Sequence, residues 1–342
     1  MLAGGVGSRF WPVSTPDRPK QVLPLAGDRP LITDTVERIT PLIPLDRVRI
    51  LTGAELVAPI RGAVPGLEAG HFMVEPRARG TGPVLVWAAH TFAGRDGDAI
   101  MASLHADHVI RPASGFRDVV AAAAAAADRH DRLFTLGIRP TRPETGYGYV
   151  RRGDALDDAG AHAVDAFVEK PDTDTAAAYI ASNEYLWNSG IFVWRATRLL
   201  EEVRRHTPEL AALLPLLDRG DVDAFFDQAP VLSVDEGVLE RSGRVGVIEA
   251  GFEWDDVGTW DAVARTLPGD ESGNVLLGDA HVVESERCVV WEEAGEPVVV
   301  FGASDLVIVR VRGATLVLPR DRAADLKSLL AALPEHVREA IR

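Results

Sequence analysis

Over roughly the first 265 residues, short apolar runs alternate with longer stretches that carry a helical period. That alternation restricts the fold more than any other feature, because it is the pattern of an α/β unit whose strands are buried between helices. Strands are expected at Val48–Thr52, His71–Val74, Ala99–Leu104, Leu133–Ile138, Ala163–Glu169 and Ile191–Trp194. Helices are expected at Gly82–Phe92, opened by Thr81 and Pro83, and at Phe116–Arg129. The second helix holds seven consecutive alanines, Ala121–Ala127. Alanine is the best helix former, and its small side chain lets a helix lie close to a sheet. Thr207-Pro208 supplies an N-cap and a first-turn proline for a further helix. The pattern stops at "LPGDESGN", residues 267–274. From Val275 to Leu318 only short β-like runs follow, and no helical period returns until Arg322–Leu333. The expected architecture is therefore α/β. A Rossmann-like, mixed but mostly parallel sheet flanked by helices spans residues 1–266. A small β appendage, left-handed β-helix-like and closed by a terminal helix, spans residues 267–342.

A chain of 342 residues has room for one large α/β unit and a smaller one. The formal charge of −15 argues against a nucleic-acid or anionic-membrane partner, either of which selects for a basic face. It leaves room for an anionic substrate if basic side chains converge in a cleft. The single cysteine, Cys288, excludes an internal disulfide framework and fits a reducing cytoplasm. With no basic leader and no membrane-length apolar stretch, neither export nor anchoring is expected. Of the 36 basic residues only Lys20, Lys170 and Lys327 are lysines. Arginine is the default cation here, so each lysine stands out from the background.

The glycine-rich stretch "LAGGVGSRFWPVSTPDRPKQVLPL" fills residues 2–25. A dinucleotide fingerprint needs G-x-G-x-x-G, and a Walker A loop needs Lys-Ser/Thr after its last glycine. Gly4-Gly5-Val6-Gly7 followed by Ser8-Arg9 fits neither. What remains is a loop whose backbone N–H groups can face an anion, with Arg9 able to fork onto phosphate oxygens and Lys20 adding a second cation behind Pro19. For the glycines alone, a plain turn is an equal reading.

Four strand ends carry further candidates. In "LHADHVI", Asp107 follows an apolar strand, where open α/β sheets bind ligands and where a carboxylate suits Mg²⁺. His105 and His108 flank it; without a second ligand set they read as pocket walls before they read as zinc ligands. In "FVEKP", Glu169 and Lys170 form either a solvated ion pair or a hydroxyl acceptor beside a phosphate cation. In "LWNSGIFVW", Asn188 and Gly190 stand just before an apolar strand, where an amide can both donate to and accept from a hydroxyl-rich ligand. In "FEWDDVGTWDAV", Asp255 and Asp256 precede a helix, with N-capping by an Asp or by Thr259 as one reading and a second metal carboxylate as the other.

Taken in order, these motifs resemble those of the sugar-nucleotide pyrophosphorylases. "RFWP", "PKQ", "ADHVI", "ETGYGYV", "FVEKP", "WNSGIFVW" and "WDDVGTW" are similar to the mannose-1-phosphate guanylyltransferase branch. The likeness spans nearly the whole chain, including "GNVLLGD" and the tail, and is to the short, single-function form. It implies transfer of the guanylyl group from GTP to α-D-mannose 1-phosphate with Mg²⁺. The implied nucleotide contacts are Leu2, Ala3, Gly4, Gly5, Gly7, Ser8, Gly80 and Thr81. Arg9 and Lys20 are implied to grip phosphates, and Asp107 and Asp256 to hold the metal, Asp107 also facing substrate. Glu169 and Asn188 are implied to read sugar hydroxyls, Lys170 to hold the sugar phosphate, and Gly148 to let the ligand approach. Three positions depart from the branch. Only Met1 precedes Leu2, so either the central strand is truncated or the sequence starts late; Gly80 and Gly82 replace the commoner Asn and Ala; and His105 stands where proline is common. The neighbouring alternatives are a glucose-1-phosphate enzyme using dTTP or UTP, and a regulatory homologue that binds sugar nucleotide without turnover. A nicotinamide oxidoreductase would need a third fingerprint glycine and an acid at a strand end about 20 residues on, whereas Glu37 falls within a helical pattern. The β appendage offers a homodimer surface.

Overall fold

The computed structural model of the chain describes residues 1–339; residues 340–342, the end of the expected second unit, lie outside them. The first unit contains β1 (Ile50–Thr52), β2 (Phe72–Val74), β3 (Ile100–Ser103), β4 (Val109–Arg111), β5 (Leu133–Ile138), β6 (Tyr149–Ala155), β7 (Ala161–Val168), β8 (Tyr185–Arg195), β9 (Val245–Glu249) and β10 (Glu253–Asp255). Its main sheet runs β3-β8-β5-β9-β7-β6. Leu2 extends this order beyond β3 by bridging His105 on one side and Leu51 of β1 on the other, both in parallel, and β1 pairs in parallel with β2.

The sheet is mixed, as expected, but the parallel share is smaller than the sequence pattern suggests. Apart from the Leu2–β1–β2 flank, only β5 and β9 run parallel; β3–β8, β5–β8, β7–β9, β6–β7 and β6–β8 are antiparallel. The connection over 156–160 is too short for the crossover that parallel pairing requires, so β6 and β7 must return on each other. At the N-terminus Leu2 donates to the Leu104 carbonyl at 2.7 Å and Ala3 to the Leu51 carbonyl at 2.9 Å.

Side chains alternate across the sheet into two apolar cores. Phe134, Leu136, Ile191 and Val193 face the helix Ala113–His130, whose Ala123, Ala126 and Ala127 pack tightly beneath them. Leu133, Phe192 and Trp194 face the helices Thr81–Asp96 and Ala196–His206. Two expected caps work otherwise. Thr81 is the first helical residue, and its Oγ1 accepts from the Val234 amide at 3.0 Å, while Gly80 with φ 84° takes the N-cap position. The Thr207 hydroxyl donates to the Gly237 carbonyl at 2.7 Å rather than capping the short helix that Pro208 opens.

The second unit comprises β11 (Val275–Leu277), β12 (Ala280–Val283), β13 (Val289–Glu292), β14 (Val298–Phe301), β15 (Leu306–Val311) and β16 (Ala314–Pro319). β11, β13 and β15 stack in parallel, as do β12 and β14, so successive coils lie one above another. Cys288, Val290, Val300 and Ile308 fill the space between them. β16 folds back antiparallel on β15. The expected terminal helix is in fact a 3₁₀ turn, Arg320–Asp325, followed by the helix Leu326–Ala332. A third core joins the units: Phe10, Leu23, Leu25 and Trp260 pack with Trp291 and Leu326. The Phe10 and Trp260 rings lie 5.2 Å apart, and Trp260 and Trp291 lie 5.6 Å apart, both edge-on.

Candidate active site

The glycine loop leaves the sheet at Ala3, whose carbonyl accepts from Gln21 Nε2 at 3.0 Å and Thr52 Oγ1 at 2.8 Å. At Gly7 the chain turns with φ 81°, and a Cβ there would sit 2.3 Å from the Cβ of Lys20. Gly7 thus lets Lys20 pack under the loop. Leu2, Ala3, Gly4 and Gly5, with Gly80, Thr81, Glu75, His105 and Asp107, line a pocket of about 290 Å³. Arg9 is exposed and lines a larger cleft of about 1100 Å³ with Tyr147, Lys170 and Asp256, closed on the far side by Arg287, Asp305 and Arg320 of the β unit. Gly7 and Ser8 line neither space.

Lys20 stands between pocket and cleft. Its ammonium lies 2.7 Å from Asp107 Oδ2 and donates to the Asp256 carbonyl at 2.7 Å. The fold delivers these partners through the β4–β10 pair, whose antiparallel register sets Val109 opposite Asp255. Asp107 precedes one strand and Asp256 follows the other, so both emerge at the same end. Burial alone would raise the Asp107 carboxyl, but Lys20, His108 and His105 outweigh it and hold the group at about 2. Asp256 Oδ1 accepts from the Tyr147 hydroxyl at 2.7 Å and from the Gly258 amide at 3.1 Å. Burial and the neighbouring Asp256 and Asp255 charges push the Tyr147 phenol upward, which keeps it a donor. The helix after this segment has Thr259 at its N-cap position with no side-chain cap, so neither Asp nor Thr performs the expected capping.

Among the described residues, Asp107 Oδ1 and Asp256 Oδ2 accept no hydrogen bond from protein. Each carboxylate therefore keeps an oxygen for a hard cation, the donor chemistry that suits Mg²⁺. The donor atoms of His105, Asp107 and His108 also converge, within 4.8 Å of one another. His108 Nδ1, however, accepts from Trp254 Nε1 at 3.1 Å, and burial lowers both imidazoles. His105 and Asp107 line the small pocket, whereas His108 lines a separate one of about 350 Å³.

A second cluster adjoins Lys170 of the cleft wall. Asn188, expected just before a strand, sits inside β8; Gly190, at φ 69°, marks the irregularity there, where a Cβ would meet the His105 ring at 2.8 Å. Asn188 Oδ1 accepts from Thr135 Oγ1 at 2.7 Å and from the Gly190 amide at 3.2 Å, and Nδ2 donates to Asp235 Oδ1 at 2.8 Å. Gly148 leaves room for the acid beside it, because a Cβ there would lie 2.5 Å from Glu169 Oε2. Lys170 pairs with Glu169, and its amide donates to the Tyr147 carbonyl at 3.2 Å. Tyr147 therefore links this cluster to Asp256.

Three residues that sequence reasoning missed belong here. Burial and the adjacent Glu169 push the Asp235 carboxyl up to about 7. Glu75, raised by burial and by Glu55, faces the small pocket beside Gly4. Tyr147 is the third. Glu75 follows β2 directly, a strand-end signal that was available; Asp235 in "SVDEG" offers no comparable spacing. Gly80 and Gly82 gain a local explanation. Added Cβ atoms would lie 2.6 and 2.9 Å from the Leu232 carbonyl oxygen, so this chain has no room for larger residues.

Residues 1–272 match the nucleotidyl transferase family. The chain belongs to that family. Residues 278–333 of this nucleotidyltransferase match the MannoseP isomerase/GMP-like β-helix domain. The chain is 37% identical over 352 aligned positions to the mannose-1-phosphate guanylyltransferase of Klebsiella pneumoniae, covering 99% of this chain and 74% of that protein. It is 36% identical to the Escherichia coli mannose-1-phosphate guanylyltransferase at the same coverage, 99% and 74%. A solved structure from Thermus thermophilus, described as a "mannose-1-phosphate geranyltransferase", superposes with a TM-score of 0.88 at 34% identity over 97% of each chain. Enzymes of the family generally use a divalent metal, and they act on a nucleoside triphosphate and a sugar phosphate. No helix of the described residues is long and apolar enough to cross a membrane.

Proposed function

We propose that this nucleotidyltransferase forms GDP-mannose and pyrophosphate from GTP and α-D-mannose 1-phosphate. The observation that carries the reading is the position of Lys20, which ties Asp107 on the pocket side to Asp256 on the cleft side. The reacting phosphates belong at that junction. A sugar phosphate is already anionic near neutral pH, so its oxygen attacks the α-phosphorus without a general base. The bond from the α-phosphorus to the bridging oxygen breaks, and pyrophosphate carries the electron pair away. Catalysis then rests on positioning and charge neutralisation.

Leu2, Ala3, Gly4, Gly5, Gly7, Ser8, Gly80 and Thr81 frame the nucleotide. Arg9, exposed toward the cleft, forks onto the leaving pyrophosphate, and Lys20 adds its charge beside it. Asp107 and Asp256 hold Mg²⁺, which when bound offsets the charge on the transferring phosphate. Glu169 accepts sugar hydroxyl protons, Asn188 donates its remaining Nδ2 proton, Gly148 gives the ring access, and Lys170 turns from Glu169 onto the sugar phosphate. Residues 1–266 form the catalytic unit and 267–342 its support, in a cytoplasmic enzyme whose lone thiol, Cys288, is buried and free. The homodimer reading rests on β12 and β14, which expose Val283, Val299 and Phe301.

Pyrophosphate release with Mg²⁺, crossing four nucleoside triphosphates against mannose and glucose 1-phosphates, tests the function. Release is expected with GTP and mannose 1-phosphate. Silence with every pair would sink the enzyme reading, and release with dTTP or UTP and glucose 1-phosphate alone would sink the guanylyl assignment.

A further inference from the structure

One stretch of chain, residues 232–240, touches both halves of the site. At its start, the Leu232 carbonyl accepts from the Gly82 amide at 2.9 Å, and the Leu232 amide donates to the Arg79 carbonyl at 3.0 Å. Two residues on, the Val234 amide donates to Thr81 Oγ1 at 3.0 Å. These contacts fasten the stretch to the nucleotide-side turn. The chain then winds as a π turn over Asp235–Leu239, a form that recurs at functional sites. Asp235 Oδ1 takes the Asn188 amide proton at 2.8 Å, and Glu240 Oε1 accepts from the Glu169 backbone amide at 3.0 Å. Both candidate hydroxyl readers are therefore held from the same stretch that is pinned beside Gly80.

We propose that Asp235 is a positioning residue for the sugar 1-phosphate, acting through Asn188. An asparagine side chain can flip, exchanging its oxygen for its nitrogen. Here Thr135 donates to Oδ1 from one side and Asp235 accepts from Nδ2 on the other. With the Gly190 amide also donating to Oδ1 at 3.2 Å, these contacts fix a single orientation, in which Oδ1 is saturated and one Nδ2 proton remains for a sugar hydroxyl. Glu169 nearby is an acceptor, so the subsite offers the ring one donor and one acceptor in set places. An amide at 235 keeps an acceptor for Asn188.

This inference rests on the proposed function, and the experiment separates the two. Turnover of GTP and mannose 1-phosphate by the unaltered enzyme tests the function; the split between the two KM values in variants tests Asp235. Asp235→Ala is expected to raise KM for mannose 1-phosphate roughly five- to tenfold, as for one lost positioning hydrogen bond, with KM for GTP within about twofold. Asp235→Asn should recover most of that loss. Thr135→Val, which removes the opposite contact and nearly keeps the volume, should raise the same KM and leaves the question answerable if Asp235→Ala does not fold. Unchanged sugar-phosphate KM in a folded variant would overturn the proposal. Equal rises in both KM values, or failure of Asp235→Asn to recover, would also overturn it, since a merely structural residue behaves that way.

Discussion

Lys20→Met removes the ammonium at the centre of the site while keeping most of the side-chain volume. Lys20 is 8% exposed, and the Asp107 side chain retains 27% of its exposure. Asp107 titrates at about 2 in the folded protein against 3.8 when free. That depression corresponds to about 2 kcal/mol of stability, fully present above the free value and lost as pH falls from about 4 toward 2. Without Lys20, the largest of the influences that hold the Asp107 carboxyl down is gone, and the carboxyl rises from about 2. The deficit relative to the unaltered protein therefore grows as pH rises from about 2 to about 4 and is full at neutral pH. Removing one partner of a largely buried pair costs about 3 kcal/mol, the lower end of its usual range, because Asp107 still meets some solvent. Placing Asp107→Asn in the Lys20→Met background removes the stranded charge and should restore about 2 kcal/mol. Urea unfolding of the four proteins at pH 7, followed by tryptophan fluorescence, closes the cycle. Losses that add to within about 0.5 kcal/mol would refute the coupling and, with it, the assignment of Lys20 as the tie between the two strand ends.

Gly7→Ala places a side chain at φ 81°, against Lys20, and should lower the melting temperature and turnover together, whereas Gly5→Ala meets nothing within 4 Å and should leave the melting temperature unchanged. Differential scanning fluorimetry and pyrophosphate release read the contrast. Lys170→Ala should chiefly raise KM for the sugar 1-phosphate, roughly tenfold, as for a lost charge-assisted contact. Arg9→Ala should chiefly depress kcat and the use of GTP; steady-state kinetics with each substrate varied would reverse the two assignments if the pattern inverts.

The chemistry of the loop and strand ends was legible because each motif is local. Gly4 to Arg9, Asp107, Glu169 and Asp256 are each placed by a few neighbouring residues. Sheet direction was less legible, since strands buried on both faces read as apolar runs whichever way they pair. β6 escaped notice for the opposite reason: its "YVRRGDA" is half exposed and polar, and only its pairing with β7 and β8 makes it a strand. Asp235 was invisible because its partners, Asn188 and Glu169, lie far away in sequence and meet it only through tertiary packing. Lys20 stood out by rarity, yet nothing local revealed that its charge is already engaged by Asp107 and the Asp256 carbonyl.

The row of rings from Phe10 through Trp260 to Trp291 gives the stacked coils a part in the chemistry without a single reacting atom of their own. A glycine-rich loop has the greatest conformational freedom to lose on binding, and that loss subtracts from affinity. By clamping the residue just past Arg9 to a rigid second unit, the protein surrenders much of this freedom during folding, before any substrate arrives. The loop's entropy thereby becomes a matter of stability, and a loosened coil will announce itself as a slower enzyme before it announces itself as an unfolded one.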